Sequence, residues 1–161
     1  SVFRQAILMQ MTMQGAPTIY YGDEVGLCGW TDPDNRRTYP WGNENLELLE
    51  YHRYMNKWHR IRKELKTGSL IRLISTGGVV CYARVLKDNI SVIIINAGEY
   101  TAKTDIPLYL TGMRDNAVIS RVIYTNKVGY NVGRVTYIND NGYLNFEIEP
   151  HSGYLLVSGN L

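Results

Sequence analysis

The fold of this chain is decided by residues 15–41, which read GAPTIYYGDEVGLCGWTDPDNRRTYPW. Within this stretch, residues 18–21 form an apolar run without polar alternation, and a helical pattern lies on each side of it. A parallel strand that is buried on both faces has this appearance. Pro17 suits a strand start, since it lacks the N–H that a central ladder position needs, and Gly22 ends the run. The stretch therefore predicts a buried strand that opens into a long loop.

The loop after this strand is rich in side chains that bind ligands. Its carboxylates, arginines and tryptophans are Asp23, Glu24, Asp32, Arg36, Arg37, Trp30 and Trp41. In α/β folds the loop at the carboxyl end of a parallel strand is where ligands bind. We therefore expect a binding function in this loop.

Helical patterns flank the predicted strand. Residues 1–14 carry apolar side chains at helical spacing, with Ser1 placed as an N-cap and Gly15 just after the last turn. Residues 43–65 read as a second, amphipathic helix, and its basic end, which includes Arg62, suits the helix dipole. This half of the chain is predicted to be helix, strand, helix.

From Gly68 onward the hydrophobic period becomes strand-like. We predict strands at 70–75, 79–86, 90–96, 103–107, 118–124, 134–138, 143–148 and 153–157. The sequence Asp140-Asn141-Gly142 is the strongest hairpin signal. Short strands at this spacing predict an antiparallel β-sandwich. We place the boundary near Gly68, which divides the chain into domains 1–67 and 68–161.

The composition excludes several classes of function. Lys and Arg outnumber Asp and Glu by only 17 to 15, so neither nucleic acid nor an anionic membrane is an expected partner. No run reaches the roughly 20 apolar residues of a membrane span. Cys28 and Cys81 are interpreted as two free thiols. The sequence leaves the cellular location open, with a cytoplasmic location favoured over a secreted one.

Residues 15–24 together with 32–37 and 40–41 resemble the eighth barrel strand and its loop in the α-amylase superfamily of glycoside hydrolases. Within it, the chain is most similar to the neopullulanase, cyclomaltodextrinase and maltogenic amylase group. The resemblance implies a multi-part fold: a helix–strand–helix end piece of a (β/α)8 barrel followed by an antiparallel all-β sandwich domain. A complete barrel takes about 250 residues, and a lone parallel strand cannot satisfy both of its edges. We therefore expect the chain to be a fragment of such an enzyme.

No residue of this chain is predicted to be catalytic. Glycoside hydrolysis needs two carboxyl groups that flank one bond, and Asp23 and Glu24 would point to opposite faces of a continuing strand. Loop capping or ion pairing with Arg36 or Arg37 is the alternative role for them. The resemblance implies that the nucleophile, the acid/base and a third aspartate lie on earlier strands outside the chain. It also implies a retaining mechanism through a covalent glycosyl-enzyme intermediate, and an isolated chain without activity.

The resemblance implies a sugar-binding role for two residues of this chain. Asp32 and Arg36 match an aspartate and an arginine that, in the family, contact a glucose unit on the non-reducing side of the cleavage point. A carboxylate and a guanidinium together offer acceptors and planar donors to neighbouring hydroxyls. A structural ion pair without sugar is the alternative for these two residues. Trp30 and Trp41 could stack on a sugar face or serve packing.

The expected partners are an α-glucan oligosaccharide and the rest of the catalytic barrel. No cofactor is expected in this chain, whereas calcium could bind in the part of the parent enzyme outside it. Two alternative functions stay open: a carbohydrate-binding module that uses tyrosines of the sandwich, and a self-associating or oligomerisation module that uses exposed apolar edges.

Overall fold

The structure of this chain, a computed structural model, describes residues 2–159. Its helices are α1 (Val2–Thr12), α2 (Leu46–Ile61) and α3 (Lys63–Thr67). Short 3-10 turns occupy Asp23–Val25 and Asp34–Arg36 within the long loop. Ser1, the predicted N-cap, lies outside the described residues. No helix in the described range is long and apolar enough to cross a membrane.

Within residues 2–159, nine strands follow the helices. They are β1 (Ser69–Thr76), β2 (Val79–Leu86), β3 (Asn89–Asn96), β4 (Ala102–Pro107), β5 (Val118–Thr125), β6 (Tyr130–Asn131), β7 (Val135–Ile138), β8 (Tyr143–Ile148) and β9 (Ser152–Ser158). All eight predicted strands are present within one or two residues, and the two-residue β6 is an addition. A further 3-10 turn, Leu108–Thr111, follows β4.

The strands form two antiparallel sheets. The larger has the order β1-β2-β3-β9-β5-β6, with β7 also paired to β5, and the smaller consists of β4 and β8. Fully buried side chains of the larger sheet, such as Ile94 and Leu156, pack against Ile106 and Ile148 of the smaller one. This arrangement confirms the predicted antiparallel sandwich.

A second core lies on the opposite face of the larger sheet, where α1 and α2 cover it. The helices contribute Ile7, Leu8, Met11, Tyr51, Met55 and Trp58, and the sheet contributes Tyr82, Ile93, Ile95, Val122, Ile123, Leu155 and Val157. The molecule is therefore three layers thick: helices, large sheet, small sheet. This core holds the helices, and with them the loop between α1 and α2, in a fixed place on the sandwich.

The predicted strand at 18–21 is not formed among the described residues. The stretch follows α1 without ladder hydrogen bonds, and Gln10 donates a side-chain hydrogen bond to the Thr18 carbonyl. A parallel strand is stabilised by neighbours on both sides, and this chain supplies none for it. The helix–strand–helix end piece thus keeps its two helices, and the segment between them stays unpaired.

The predicted second helix is interrupted at Arg62. Its backbone leaves the helical region (φ −91°, ψ 106°) and separates α2 from α3. The guanidinium is buried rather than exposed at a helix end. It pairs with the buried carboxylate of Glu64 and donates to the carbonyls of Ile90 (3.3 Å) and Ser158 (2.6 Å). Arg62 therefore joins the helical layer to β3 and β9 from within.

Candidate functional site

Asp32 and Arg36 are brought together at the surface of the long loop. The 3-10 turn Asp34–Arg36 begins directly after Pro33, whose carbonyl accepts from the Arg36 N–H at 3.0 Å. Arg36 Nη2 then lies 2.9 Å from Asp32 Oδ2, and Nε lies 3.3 Å from Oδ1. The Arg36 side chain is 67% exposed and that of Asp32 is 58% exposed. Exposed ion pairs of this kind contribute at most about 1 kcal/mol to stability. Either side chain can therefore exchange its present partner for a ligand at little cost.

A second ion pair inside the same loop fixes its shape. Arg37 Nε donates to Asp34 Oδ1 at 2.9 Å, and Asp34 Oδ2 accepts from the Trp30 N–H at 3.0 Å. The hydrogen bond from Arg37, helped by that from Trp30, lowers the pKa of the Asp34 carboxyl. Asp34 was not among the predicted site residues. The signal that could have found it is a carboxylate three residues before an arginine in a loop that must turn back on itself.

Gly29 allows two parts of the loop to lie against each other, namely Gly29 itself and the backbone of residues 34–35. A Cβ at this position would lie 2.5 Å from the Asn35 Cα and 2.9 Å from the Asp34 carbonyl oxygen, which no larger residue can accommodate without moving backbone. The chain therefore crosses itself at Gly29, just before Trp30. This crossing closes the loop into a compact unit.

The loop is also attached to its surroundings at both ends. The Tyr21 hydroxyl donates to the Arg37 carbonyl at 2.9 Å, which ties the incoming segment to the outgoing one. Val25 is buried, and its carbonyl accepts from the Asn45 N–H at 3.4 Å. Asn45 in turn caps α2 by accepting from the Leu48 N–H at 3.0 Å. The loop is thus anchored on the helix that the second core holds in place.

The two tryptophans of the loop lie in different environments. Trp41 is 80% exposed, and its ring is 4.5 Å from that of Tyr39. Trp30 is 84% exposed, and within residues 2–159 its indole makes no ring contact. Trp41 therefore has one aromatic neighbour, although most of its surface remains exposed.

Asp23 and Glu24 occupy a 3-10 turn instead of continuing a strand. Glu24 Oε2 accepts from the Gly22 N–H at 2.8 Å, which is the capping role that we considered for it. The arginines Arg36 and Arg37 pair with other carboxylates, those of Asp32 and Asp34. Across the described part of the chain, no group of three or more histidine, cysteine, aspartate or glutamate side chains could hold a metal ion.

The tyrosines of the sandwich are largely engaged in packing. Tyr124 on β5 and Tyr154 on β9 are paired in register, and their rings stack 5.0 Å apart. The Tyr109 and Tyr143 rings meet edge to face at 5.3 Å. Tyr100, by contrast, is exposed to solvent.

Comparison with known proteins identifies the chain's relatives, although no family model matches it. The amylopullulanase of Thermoanaerobacter thermohydrosulfuricus is 31% identical over 174 residues, covering 96% of this chain and 12% of that protein. The cyclomaltodextrinase of Thermoanaerobacter pseudethanolicus is 29% identical over 155 residues, covering 94% of this chain and 24% of that protein. The chain therefore spans a quarter or less of the length of these two relatives.

A solved structure shows the same fold. The debranching enzyme from Nostoc punctiforme, in crystals soaked with acarbose, matches 96% of this chain with a TM-score of 0.75 and 28% identity, and the match covers 28% of that enzyme. Sequence and fold together place the chain in the α-amylase superfamily. It corresponds to the C-terminal part of an α-amylase-superfamily enzyme related to amylopullulanases, cyclomaltodextrinases and neopullulanases. The resemblance drawn from residues 15–41 is thereby confirmed.

Proposed function

We propose that this chain forms one wall of an α-glucan-binding cleft, with its supporting sandwich, in a longer enzyme that hydrolyses α-glucosidic linkages. The observation that carries this proposal is the exposed two-point pair of Asp32 and Arg36 on a loop closed by Asp34 and Arg37. The names of the relatives agree with it, as does the acarbose soak of the Nostoc punctiforme enzyme.

The chemistry of the pair suits a sugar. A guanidinium carries five N–H donors, and two of the Arg36 nitrogens donate to Asp32, which leaves further N–H groups for a ligand. The Asp32 carboxylate has lone pairs beyond the two that it uses here. Two vicinal hydroxyls of one glucose unit can therefore donate to Asp32 and accept from Arg36 at once. The fixed loop lowers the cost of ordering these groups on binding.

We further propose that the chain is inactive alone and that the parent enzyme works by retention. Several of this chain's carboxylates already have other partners: Glu24 caps a turn, Glu64 pairs with Arg62 and Glu147 with Lys103. The nucleophile and the acid/base would then come from strands outside these residues, with a covalent glycosyl-enzyme intermediate.

A maltotriose titration by calorimetry tests the sugar assignment. Asp32→Ala and Arg36→Ala should each weaken binding about tenfold, because each removes charge-assisted hydrogen bonds. Arg53→Ala is the matched control, since it breaks another exposed pair, with Glu50 at 2.6 Å on α2, and should change nothing. If both loop variants bind maltotriose as tightly as the unaltered chain, the proposed site is wrong and the sugar binds to the sandwich, as in a carbohydrate-binding module.

A hydrolysis assay tests the inactivity of the chain. Pure chain incubated with maltooligosaccharides should release no reducing sugar. Turnover that Glu24→Gln abolishes would place the chemistry in this loop and overturn the assignment of the catalytic groups to other strands.

The proposed protein partner is the remainder of a barrel. Large apolar side chains stay exposed on α1 and on the unpaired segment after it, namely Val2, Phe3, Met9, Met13, Ile19, Tyr20 and Tyr21. The same exposure favours self-association as a second candidate, since unpaired apolar edges promote it. Light scattering of the purified chain decides between them: a monodisperse monomer rules out self-association.

A further inference from the structure

Trp30 differs from every other tryptophan of the chain. Trp58 is buried in the second core, and the ring of Trp41 lies in a tilted contact with that of Tyr39. Trp30 alone combines an 84% exposed side chain with an indole that no ring contacts within residues 2–159. Because this large apolar face is exposed to water, its burial under a ligand would favour binding.

The backbone that carries the indole is held from both sides. The Trp30 N–H donates to Asp34, and Asp34 is itself fixed by Arg37. On the other side, Gly29 is in contact with the Asn35 backbone. The indole is thus mounted on a rigid base, and binding would have to order only its two side-chain torsions.

Trp30 is also close to the sugar-binding pair. It precedes Asp32 by two residues, so the two Cα atoms are at most about 7 Å apart. The Trp30 N–H further ties it to Asp34, the first residue of the turn that ends at Arg36. A glucan chain held by one unit at Asp32 and Arg36 would therefore run past the indole with its neighbouring unit.

We propose that Trp30 stacks on the glucose unit adjacent to the one held by Asp32 and Arg36, and so selects linked glucose units over single ones. The proposal rests on the function proposed above. The flat indole matches the apolar C–H face of a pyranose ring, whose hydroxyls project around the rim. Trp30 is a specificity-determining residue in this view, with no part in bond cleavage.

Tryptophan fluorescence tests the proposal directly. In a Trp41→Phe background the remaining tryptophans are Trp58, which is buried, and Trp30. Maltotriose should then produce a saturable change in emission that comes from Trp30. Adding Trp30→Ala should weaken maltotriose binding about tenfold by calorimetry, and Trp30→Phe should restore most of it, since a phenyl ring also stacks.

Two comparisons make the result specific. Trp30→Ala should leave binding of methyl α-glucoside unchanged, because the proposal places the indole against the neighbouring unit and not against the unit held by Asp32 and Arg36. Tyr100→Ala removes an equally exposed aromatic ring from the sandwich, also 84% exposed, and should leave maltotriose binding unchanged.

The outcomes separate this inference from the function on which it rests. If Asp32→Ala weakens maltotriose binding and Trp30→Ala does not, the role of Trp30 is wrong and the sugar-binding pair stands. If Trp30→Ala weakens binding of methyl α-glucoside as much as binding of maltotriose, Trp30 contacts the unit held by Asp32 and Arg36, and the assignment to the adjacent unit is wrong. If the unaltered chain does not bind maltotriose, both proposals are wrong.

Discussion

The guanidinium of Arg84, on strand β2, caps the carboxyl end of helix α1 by donating a 2.7 Å hydrogen bond from Nη1 to the carbonyl oxygen of Thr12. Nη1 also donates to the Met13 carbonyl at 2.9 Å, and Nη2 to the Gly68 carbonyl at 3.0 Å. The side chain is almost completely buried, and burial lowers the pKa of this guanidinium. A positive charge at this helix end also complements the helix dipole. One arginine of the sandwich thus terminates the helix that leads into the long loop.

Replacement of Arg84 should strongly destabilise the chain. Arg84→Met fills much of the volume but leaves three carbonyl groups without their donor, which costs about 3 kcal/mol or more. Urea unfolding followed by circular dichroism measures the change. Arg72→Met, an exposed arginine on neighbouring β1, is the control and should be nearly neutral. Equal effects of the two variants would contradict the capping role of Arg84.

The buried pair of Arg62 and Glu64 leads to a second stability prediction. Glu64 Oε1 accepts from Arg62 and from the Ser91 hydroxyl at 2.6 Å, in a site with almost no solvent exposure. Glu64→Gln removes the negative charge and leaves the arginine uncompensated, which should cost about 3–5 kcal/mol. Glu147→Gln breaks the exposed pair with Lys103 at 3.1 Å and should cost under about 1 kcal/mol. Comparable midpoint shifts in urea would contradict this ranking.

The buried hydroxyl of Tyr82 leads to a prediction of how the free energy of unfolding falls at alkaline pH. Burial raises the pKa of Tyr82 to about 12, from an ordinary value of 10.0. Its hydroxyl lies 2.6 Å from Thr12 Oγ1, and Thr12 is also 2.6 Å from the Leu8 carbonyl, to which it must donate. Tyr82 is therefore the donor to Thr12 and needs its proton.

The sign of the pH effect follows from these pKa values. Between the unfolded and the folded pKa the unfolded state binds fewer protons, so stability falls with rising pH by about 1.4 kcal/mol per pH unit for this residue. The contribution is complete below pH 10 and lost as the pH rises through about 12. Unfolding of Tyr82→Phe across this window should show a shallower decline than the unaltered chain. An identical slope would show that Tyr82 does not stay protonated in the fold.

The sandwich could be predicted from sequence because its signals are local. Strands Val79–Leu86 and Tyr143–Ile148 begin and end at the predicted residues. At Asp140-Asn141-Gly142 the predicted tight turn forms, with Asp140 opposite Tyr143 and positive φ at Asn141 (50°) and Gly142 (82°). The predicted hairpin is wrong, however, because β7 pairs with β5 and β8 pairs with β4, so the turn connects the two sheets. The two-residue strand Tyr130–Asn131 was missed, because two residues show no periodicity.

What the sequence did not reveal depends on contacts between distant residues. Arg84 lies on the same face of strand β2 as Tyr82. In the sequence an arginine on a strand indicates a solvent-exposed face, and only the fold shows that α1 covers it. Arg62 reads as a basic helix end, and its carboxylate and carbonyl partners become visible only in the fold. In the candidate site Asp32 and Arg36 were selected through the resemblance, and the structure pairs them, whereas the linkage of Trp30 through Asp34 was not foreseen.

The two cysteines should differ sharply in reactivity. Both are free, and they are interpreted correctly as unpaired thiols: Cys28 is exposed in the loop, and Cys81 is buried between the two sheets. Burial raises the pKa of the Cys81 thiol, and the thiolate is the reactive form. A chromogenic disulfide reagent at mildly alkaline pH should therefore label Cys28 at once and Cys81 only as fast as the sandwich opens. In Cys28→Ser the fast phase should vanish and the slow phase should remain, with a rate that denaturant increases. Prompt labelling of Cys81 in that variant would mean that β2 is not held in a closed core, and the support that the sandwich gives to the helices and the long loop would fail with it.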